Sequence, residues 1–271
     1  MTKLSKVLLI VFLVLLIDQG YKASTNTVTC TISLKDWYHW SIVMANNISI
    51  KDIAMMTNSI ILLGGDIRIH YGAKLLLESC DIIFQNTKSI QRIIVYPGAQ
   101  LIISNSRIRA MLGVQILALK GSRVCLYRNN ISSVFMKEHQ DPMIDIRSND
   151  IVVENNSIVG EGPVFYIYYA YNISIRNNRI NAERGDAIKI IHSQNILVED
   201  NTIIAMNGYS INISSSNNIE IYGNKIKSNG GIEICKTKNI KMENNIFIQG
   251  QIIMTNLSPK DMATIKIGNN T

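Results

Sequence analysis

The chain has 271 residues, enough for one sizeable domain or two small ones, and 47% of them are hydrophobic. Its 27 basic and 20 acidic residues give a formal net charge of +7, spread along the chain with no basic cluster interleaved with aromatic residues, which argues against nucleic-acid binding. Four cysteines, Cys30, Cys80, Cys125 and Cys235, with no C-x-x-C spacing argue against a disulfide framework and against a zinc site.

The first 23 residues have the features of a targeting segment. Lys3 and Lys6 precede an unbroken apolar run, Val7–Ile17, which is too short to span a bilayer comfortably. A basic start followed by a short apolar run predicts a secretory signal at 1–23 and an extracellular or cell-surface protein. Tyr21 makes a cleavage site after Ala23 unfavourable, so an uncleaved anchor is the alternative and the only membrane contact that we expect.

Residues 24–45 are predicted to cap the domain that follows them. Val28–Leu34 alternates like a strand, and Lys35–Ala45 contains both tryptophans of the chain. Leu34, Trp37, Ser41 and Met44 would lie on one face of a helix, which predicts an amphipathic cap. A sugar-binding tryptophan pair is the alternative for this segment.

From residue 46 to residue 271 the sequence repeats. Four clear copies open at Ile151, Ile173, Ile196 and Ile219, and each has Asn five residues later and Ile seven residues later. Further copies open at Val124, Ile240 and Ile265, and weaker copies open at Leu101, Leu75 and Ile48, with Ser106, Cys80 and Ile53 at the fifth step. Asn makes up about a tenth of the chain, 29 residues, yet it occupies the fifth step in seven of ten copies. The repeat is therefore a real structural period.

Between copies a second element recurs. A glycine is followed by alternating apolar residues, which is the signature of a strand, as in GPVFYIY (Gly162–Tyr168) and GDAIKII (Gly185–Ile191). Each repeat of about 22 residues thus contains three short strands and their turns, with no room for a helix.

Such repeats must stack, because one coil cannot bury its apolar face alone. Stacking places equivalent strands side by side and parallel, about 4.8 Å apart, and crossovers between parallel strands are right-handed. The sequence therefore predicts an all-β, right-handed parallel β-helix (solenoid) of about ten coils, about 48 Å long. The fifth-step asparagines would form an inward hydrogen-bonded ladder, made by Asn129, Asn156, Asn178, Asn201, Asn224 and Asn245.

These repeats resemble the parallel β-helix repeat proteins of the pectate-lyase-like superfamily, above all their NosD-like and CASH-type repeats. The resemblance runs from about Asn46 to Thr271 and implies the fold, but that fold hosts lyases, hydrolases, epimerases, adhesins and inert spacers. DPMI (Asp141–Ile144) is similar to the D-P-H-D motif of mannuronan epimerases, with Met143 and Ile144 in place of the reactive residues. GDAIKI (Gly185–Ile190) is similar to the G-D-D segment of polygalacturonases, with Ala187 in place of the second Asp.

The outward residues of one sheet are the candidate binding site. One row of equivalent positions is predicted to contain Asp145, Tyr166, Lys189, Asn212 and Glu233. The neighbouring row contains Arg147, Tyr168, Ile191, Ser214 and Cys235, and Tyr169 and His192 lie at the following turn. Towards the N-terminus the same face offers Arg68, His70, Arg92 and Tyr96. The candidate substrate-binding residues are Asp145, Arg147, Tyr166, Tyr168, Lys189, His192 and Glu233.

Tyrosines beside cations suit a polysaccharide, because ring faces pack on sugars and Arg or Lys pairs with carboxylates. We therefore expect a secreted or cell-surface protein whose partner is a polysaccharide or a cell-surface glycan, without cofactor or metal.

Two alternatives remain. A lyase or hydrolase acting on acidic glycans would use Tyr166, Lys189 or His192 as base and Arg147 as the cation, whereas a non-catalytic structural or adhesive rod would need these residues only as polar cover. Glycosylation sequons at Asn47, Asn130, Asn155, Asn172, Asn212 and Asn269 permit a glycoprotein. Residues 240–271 are expected to be the least stable part of the rod or a surface for end-to-end self-association.

Overall fold

A computed structural model of the protein describes residues 29–32, 37–39, 42–86, 89–110, 112–133 and 141–271. The described chain winds as a right-handed parallel β-solenoid, as the repeat predicts. Its strands form three sheets of 11, 11 and 10 strands, which we name sheets A, B and C in the order in which each coil visits them. Every neighbouring pair is parallel, as in the register Ile173↔Ile196↔Ile219. The predicted signal segment lies outside the described residues.

The strands are short and recur once per coil in each sheet. Sheet A contains Thr29–Ile32, Asn47–Ile50, Ile67–Ile69, Gln91–Val95, Val114–Ala118, Ile144–Ile146, Phe165–Tyr168, Ile188–Ile191, Ile211–Ser214, Ile232–Cys235 and Ile252–Thr255. Sheet B contains Trp37–His39, Ile53–Thr57, Lys74–Glu78, Gln100–Ser104, Arg123–Tyr127, Ile151–Glu154, Tyr171–Arg176, Gln194–Glu199, Asn217–Tyr222, Lys238–Glu243 and Ile265–Gly268. Sheet C contains Ile42–Ala45, Ile60–Leu63, Asp81–Phe84, Arg107–Ala110, Asn130–Ser133, Ser157–Gly160, Arg179–Ala182, Thr202–Ala205, Lys225–Ser228 and Ile246–Gln249.

The core is a set of stacked aliphatic side chains inside the rod. Successive strand residues point to opposite faces, so every second residue enters the core. In one coil Ile175, Ile180 and Ile190 are fully buried, and the same positions are buried in the coils above and below. Ile fits these positions because its branched side chain packs well on a pleated surface. The period of two therefore also decides which residues face solvent.

The predicted asparagine ladder is present between sheets B and C. Each ladder carbonyl oxygen accepts the backbone N–H of the preceding rung, as Asn201 Oδ1 does from Asn178 at 2.9 Å. Each amide also donates to a strand carbonyl, as Asn201 Nδ2 does to Ile175 at 2.9 Å. The remaining bonds join Asn129, Asn156, Asn178, Asn201, Asn224, Asn245 and Asn270 in the same manner. The ladder satisfies backbone groups that the turn would otherwise leave buried and unpaired.

A second ladder, which the repeat analysis missed, lies between sheets A and B. Ser193 Oγ accepts the backbone N–H of Ala170 at 3.1 Å, and Ser216 Oγ accepts that of Ser193 at 3.1 Å. Thr237 Oγ1 continues the row by accepting the N–H of Ser216 at 3.3 Å. The sequence signal for this ladder was a Ser or Thr at one position in each coil. Because serine is common in loops, its recurrence there does not indicate a ladder.

Two sequence-based expectations about the first coils are wrong. Trp37–His39 and Ile42–Ala45 are strands that pair in parallel with sheets B and C, so the predicted helical cap is absent there. The parallel pairing already begins at Thr29. The weak repeat assigned to Ile48 is also misplaced, because Ala54 is the residue that aligns with Leu75 of the next coil.

The described C-terminal coil is more exposed than the others. Ile267 is 43% exposed, whereas its counterparts in the two preceding coils, Met242 and Ile221, are fully buried. A single helical turn, Pro259–Met262, interrupts this coil. Ser258 caps the turn by accepting the N–H of Asp261. The expected low stability of residues 240–271 stays a prediction.

Candidate functional site

Sheet A brings the candidate site residues together in two neighbouring rows. Register pairs run Asp145↔Tyr166↔Lys189, and the same row continues through Asn212 to Glu233. Tyr168 lies two residues after Tyr166 and therefore points to the same side of the sheet. All of the predicted site residues thus belong to one face, with about 4.8 Å between successive members of a row.

Asp145 differs from its expected role as an exposed contact residue. Its side chain is only 3% exposed, because the guanidinium of Arg147 lies against it through two hydrogen bonds. Arg147 Nε donates to Oδ1 at 3.1 Å, and Nη2 donates to Oδ2 at 2.8 Å. The expectation that Asp145 contacts a ligand directly is therefore corrected: it positions Arg147.

Arg147 is the exposed cation of this site. The hydrogen bond and the charge of Asp145 raise the pKa of the Arg147 guanidinium, although burial partly opposes the effect. The group is charged at every physiological pH. Its side chain is 51% exposed, and only two of its five N–H donors are used by Asp145. The remaining donors are free to bind an outside acceptor.

Four aromatic rings form a cluster beside Arg147. The rings of Tyr166 and Tyr168 are stacked with centroids 5.7 Å apart and planes 8° apart. Tyr169 and His192 stack at 4.9 Å and 14°, and Tyr168 meets Tyr169 edge-on at 4.3 Å. Tyr169 and His192 reach this position from turn residues with φ of 50° and 49°. We name Tyr166, Tyr168, Tyr169 and His192 the aromatic cluster.

The cluster stands next to an open groove. The groove has a volume of about 640 Å³ and follows the turn between sheets A and B. Tyr169 and His192 form part of its wall, together with Tyr171 and Lys236. Tyr169 is 63% exposed, so its ring is accessible to a molecule in the groove. An extended ligand along the rod would contact the cluster and the groove at the same time.

Two tyrosines on this side of the rod, Tyr168 and Tyr209, have a raised pKa. A hydrogen bond with Tyr169 is the main cause of a raised pKa for Tyr168, so this phenol keeps its proton at neutral pH. Further along the sheet, the charge of Glu233 is the main cause of a raised pKa for Tyr209. Both phenols are hydrogen-bonding and packing groups at neutral pH.

Asp186 and Tyr209 belong to this face although sequence analysis did not select them. Asp186 Oδ1 accepts the N–H of Tyr209 at 2.9 Å, and its Oδ2 accepts from Asn212 Nδ2 at 3.0 Å. Asp186 lies between the turn glycine Gly185 and a strand of sheet A, and its two hydrogen bonds tie this turn to the next coil. Lys189 and Glu233 flank Asn212 in the same row. The sequence signal for Asp186 and Tyr209 is weak, because each is only a polar residue next to the glycine of a turn.

A separate polar group lies on sheet A nearer the N-terminus. His70 stacks on Tyr96 with centroids 5.5 Å apart, and Ser49 Oγ is 2.8 Å from His70 Nε2. Arg68 belongs to the row that contains Asp145, but apolar residues occupy that row in the two coils between them. The structure therefore gives sheet A two polar regions, of which the aromatic cluster is the larger.

The sequence of residues 136–271 matches the family described as right handed beta helix region. This match covers half of the chain and agrees with the solenoid, the parallel register and the asparagine ladder. The chain belongs to the right handed beta helix family. No curated protein matches the sequence.

Other right handed beta helix and solenoid structures are similar in outline. The periplasmic alginate epimerase AlgG is 14% identical with a TM-score of 0.45, covering 85% of this chain and 78% of that one. The bacteriophage CBA120 tailspike protein 2 enzymatically active domain is 13% identical with a TM-score of 0.37, covering 83% and 41%. The Azotobacter vinelandii mannuronan C-5 epimerase AlgE6 A-module is 10% identical with a TM-score of 0.33, covering 94% and 92%. Likenesses this low carry no argument about activity.

Within the residues that the structure describes, no group of three or more His, Cys, Asp or Glu side chains is placed to hold a metal ion. The described cysteines, Cys80, Cys125 and Cys235, are free thiols. In the same part of the chain, no helix is long and apolar enough to cross a membrane.

Proposed function

We propose that this protein is a secreted or cell-surface β-helix that binds a polysaccharide along the exposed face of sheet A. The observation that carries the proposal is the aromatic cluster, two stacked pairs of rings, beside the fixed guanidinium of Arg147. Rigid aromatic rings offer large contact areas at little cost in conformational entropy. Sugar rings, which have apolar faces and polar edges, fit such a surface.

The charges on this face favour a glycan that carries carboxylates. Arg147 is held by the buried Asp145, so it enters a complex without first losing freedom of its side chain. Its unused N–H donors match the planar geometry of a carboxylate. Lys189, in the coil after Tyr166, supplies a second cation along the same direction. A linear uronate polymer lying along the rod would meet the two cations and the rings between them.

Binding without catalysis is favoured over a lyase or hydrolase. A lyase needs a base that is unprotonated near neutral pH. The raised pKa of Tyr168 makes that phenol unsuitable for this role. Asp145 is occupied by Arg147 and buried, so it is not available as a base. The predicted signal segment at 1–23 supports the proposed location outside the cell. A purely structural rod would have no need for a fixed exposed guanidinium beside stacked rings.

The test is binding of the purified protein to polygalacturonate, alginate and uncharged dextran, with simultaneous measurement of unsaturated uronate absorbance. We expect binding of the uronate polymers and no absorbance change. The double variant Tyr166→Ala/Tyr168→Ala should weaken that binding about tenfold, as expected for the loss of two stacked aromatic contacts. Tyr222→Ala, on the outward face of sheet B, is the matched control and should bind normally.

Three results would overturn the proposal. A rise in unsaturated uronate absorbance would identify a lyase. Unchanged uronate binding in the Tyr166→Ala/Tyr168→Ala variant would place the site elsewhere. If none of the polymers binds while the protein self-associates or adheres to cells, the structural-rod alternative replaces glycan binding.

A further inference from the structure

The excess of positive charge on the strands is concentrated on sheet C. In the described strands of that sheet the basic residues are Arg107, Arg109, Arg179, Lys225 and Lys227, and the acidic residue is Asp81. Sheets A and B are close to balanced in their described strands, with three basic against two acidic residues and six against five. Sheet C is thus a basic side of an otherwise mixed rod.

Most of these cations have no acidic partner. Arg109 Nη2 is 2.6 Å from Asp81 Oδ2, which neutralises that pair. Among the described residues, Arg107, Arg179, Lys225 and Lys227 make no ion pair, and all four are exposed. Unpaired like charges on one face repel each other, so an anion that binds across several of them relieves that repulsion.

The free cations are arranged along the axis of the rod. Arg107, Arg179 and Lys225 occupy one row of equivalent positions that spans five coil steps, or about 24 Å. The positions between them are neutral hydrogen-bonding residues, and this part of the row reads Arg107, Asn130, Ser157, Arg179, Thr202 and Lys225. Asp81 precedes it and Ile246 follows it in the same register. A linear ligand that alternates anionic groups with hydroxyls matches this row.

We propose that sheet C is a second binding face, which takes a linear acidic polysaccharide through its carboxylate or sulfate groups. The row supplies cations for the anionic groups and amide or hydroxyl side chains for the sugar hydroxyls. Nucleic acid fits less well, because single strands require exposed aromatic platforms and the two phenylalanines of these strands, Phe84 and Phe247, pack into or against the core. An anionic membrane fits less well too, because the row between the cations is hydrogen-bonding rather than apolar.

The test uses a charge-reversal variant and a matched control. Arg179→Glu/Lys225→Glu/Lys227→Glu reverses three charges of sheet C. Lys74→Glu/Arg123→Glu/Lys266→Glu makes the same change in net charge on the outward side of sheet B. The probes are heparin, polygalacturonate and uncharged dextran, measured between 50 and 200 mM salt with circular dichroism to verify folding. Full-length protein is used throughout.

We expect the sheet C variant to bind heparin about tenfold more weakly at low salt, and to lose most of the salt dependence of heparin binding. The sheet B control should change affinity by less than about threefold. Equal losses in the two variants would show that net charge alone governs binding and would overturn the proposal. The proposal is also overturned if single-stranded DNA or anionic lipid vesicles bind more tightly than heparin and if that binding depends more strongly on Arg179, Lys225 and Lys227.

This proposal and the function proposed for sheet A fail separately. The Tyr166→Ala/Tyr168→Ala variant should retain the salt-dependent binding of heparin if sheet C carries it. If heparin binding is lost in that variant and kept in the sheet C variant, the second face is refuted while the sheet A site stands. If the reverse is found, sheet C is supported and the aromatic cluster has another role.

Discussion

Asn201 is the rung at which the contribution of the asparagine ladder is best measured. It is 1% exposed and lies in the middle of the best-repeated coils. Its Oδ1 accepts the backbone N–H of Asn178 at 2.9 Å, and its Nδ2 donates to the carbonyl of Ile175 at 2.9 Å. In the Asn201→Ala variant these two buried backbone groups lose their side-chain partner. The neighbouring amides keep others, because Asn178 Nδ2 still donates to Val153.

The expected cost follows from those two groups. A buried backbone N–H left unpaired, here that of Asn178, costs about 1–3 kcal/mol, and the lost bond to the Ile175 carbonyl costs about 0.5–1.5 kcal/mol, so Asn201→Ala should lower the free energy of unfolding by about 2–4 kcal/mol. Asn201→Ser should cost roughly half as much. In an earlier coil Ser106 Oγ accepts the N–H of Cys80 at 3.0 Å, which shows that serine serves the first role of the rung. The shorter side chain would leave the carbonyl without its donor.

Urea denaturation followed by far-ultraviolet circular dichroism measures the effect. Asn207→Ala is the control, because Asn207 is exposed and donates to the carbonyl of Glu183 at 2.9 Å, a bond worth about 1 kcal/mol or less. Solenoids do not always unfold in one step, so amide exchange at Asn178 should be measured as well. Similar midpoints for Asn201→Ala and Asn207→Ala, with unchanged protection of the Asn178 amide, would refute this account of the ladder.

Two further predictions use pairs of similar residues. Gly231 and Gly72 both have φ of 73°, but a Cβ at Gly231 would lie 1.9 Å from a backbone oxygen, whereas one at Gly72 would meet nothing within 4 Å. Gly72→Ala should cost about 1 kcal/mol and Gly231→Ala clearly more, and equal thermal midpoints would contradict this. Burial is the main cause of the raised pKa of Cys80, so at pH 8 iodoacetamide should modify Cys125 before Cys80, as peptide mapping by mass spectrometry would show.

The parts of the structure that sequence analysis found are those in which burial and repetition constrain the same position. A ladder rung must be polar, inward and one coil away from the next rung, so Asn156, Asn178 and Asn201 are visible as a pattern. The second coil lacks that pattern. Ala54 and Ser59 occupy the positions at which the best-repeated coils have Ile and Asn. The sequence pattern therefore assigned the start of this repeat to Ile48, an apolar residue that belongs to sheet A. The prediction of a helix at Trp37–His39 was wrong because the apolar spacing of so short a segment fits both a helix face and a strand.

Asp145 shows why the candidate site was predictable only in part. Strand parity placed it outward, and the register with Tyr166 confirms that position. Parity does not specify which outward side chain covers another, because that depends on rotamers and on the reach of long side chains. The guanidinium of Arg147 covers the carboxylate, and the sequence contains no periodic signal for this contact. The stacking of Tyr169 on His192 escaped for the same reason, since both residues belong to turns.

The separation of inward and outward positions explains how one rod can present two chemically different faces. Inward positions hold the aliphatic stacks and the ladders, so they fix the register of every coil. Outward positions then repeat at a constant spacing of about 4.8 Å but are free in their chemistry. At its outward positions sheet A carries stacked rings and a fixed guanidinium, whereas sheet C carries unpaired cations along one row. Because the faces share only the core, a change of charge on sheet C leaves the geometry of Tyr166 and Tyr168 unaltered.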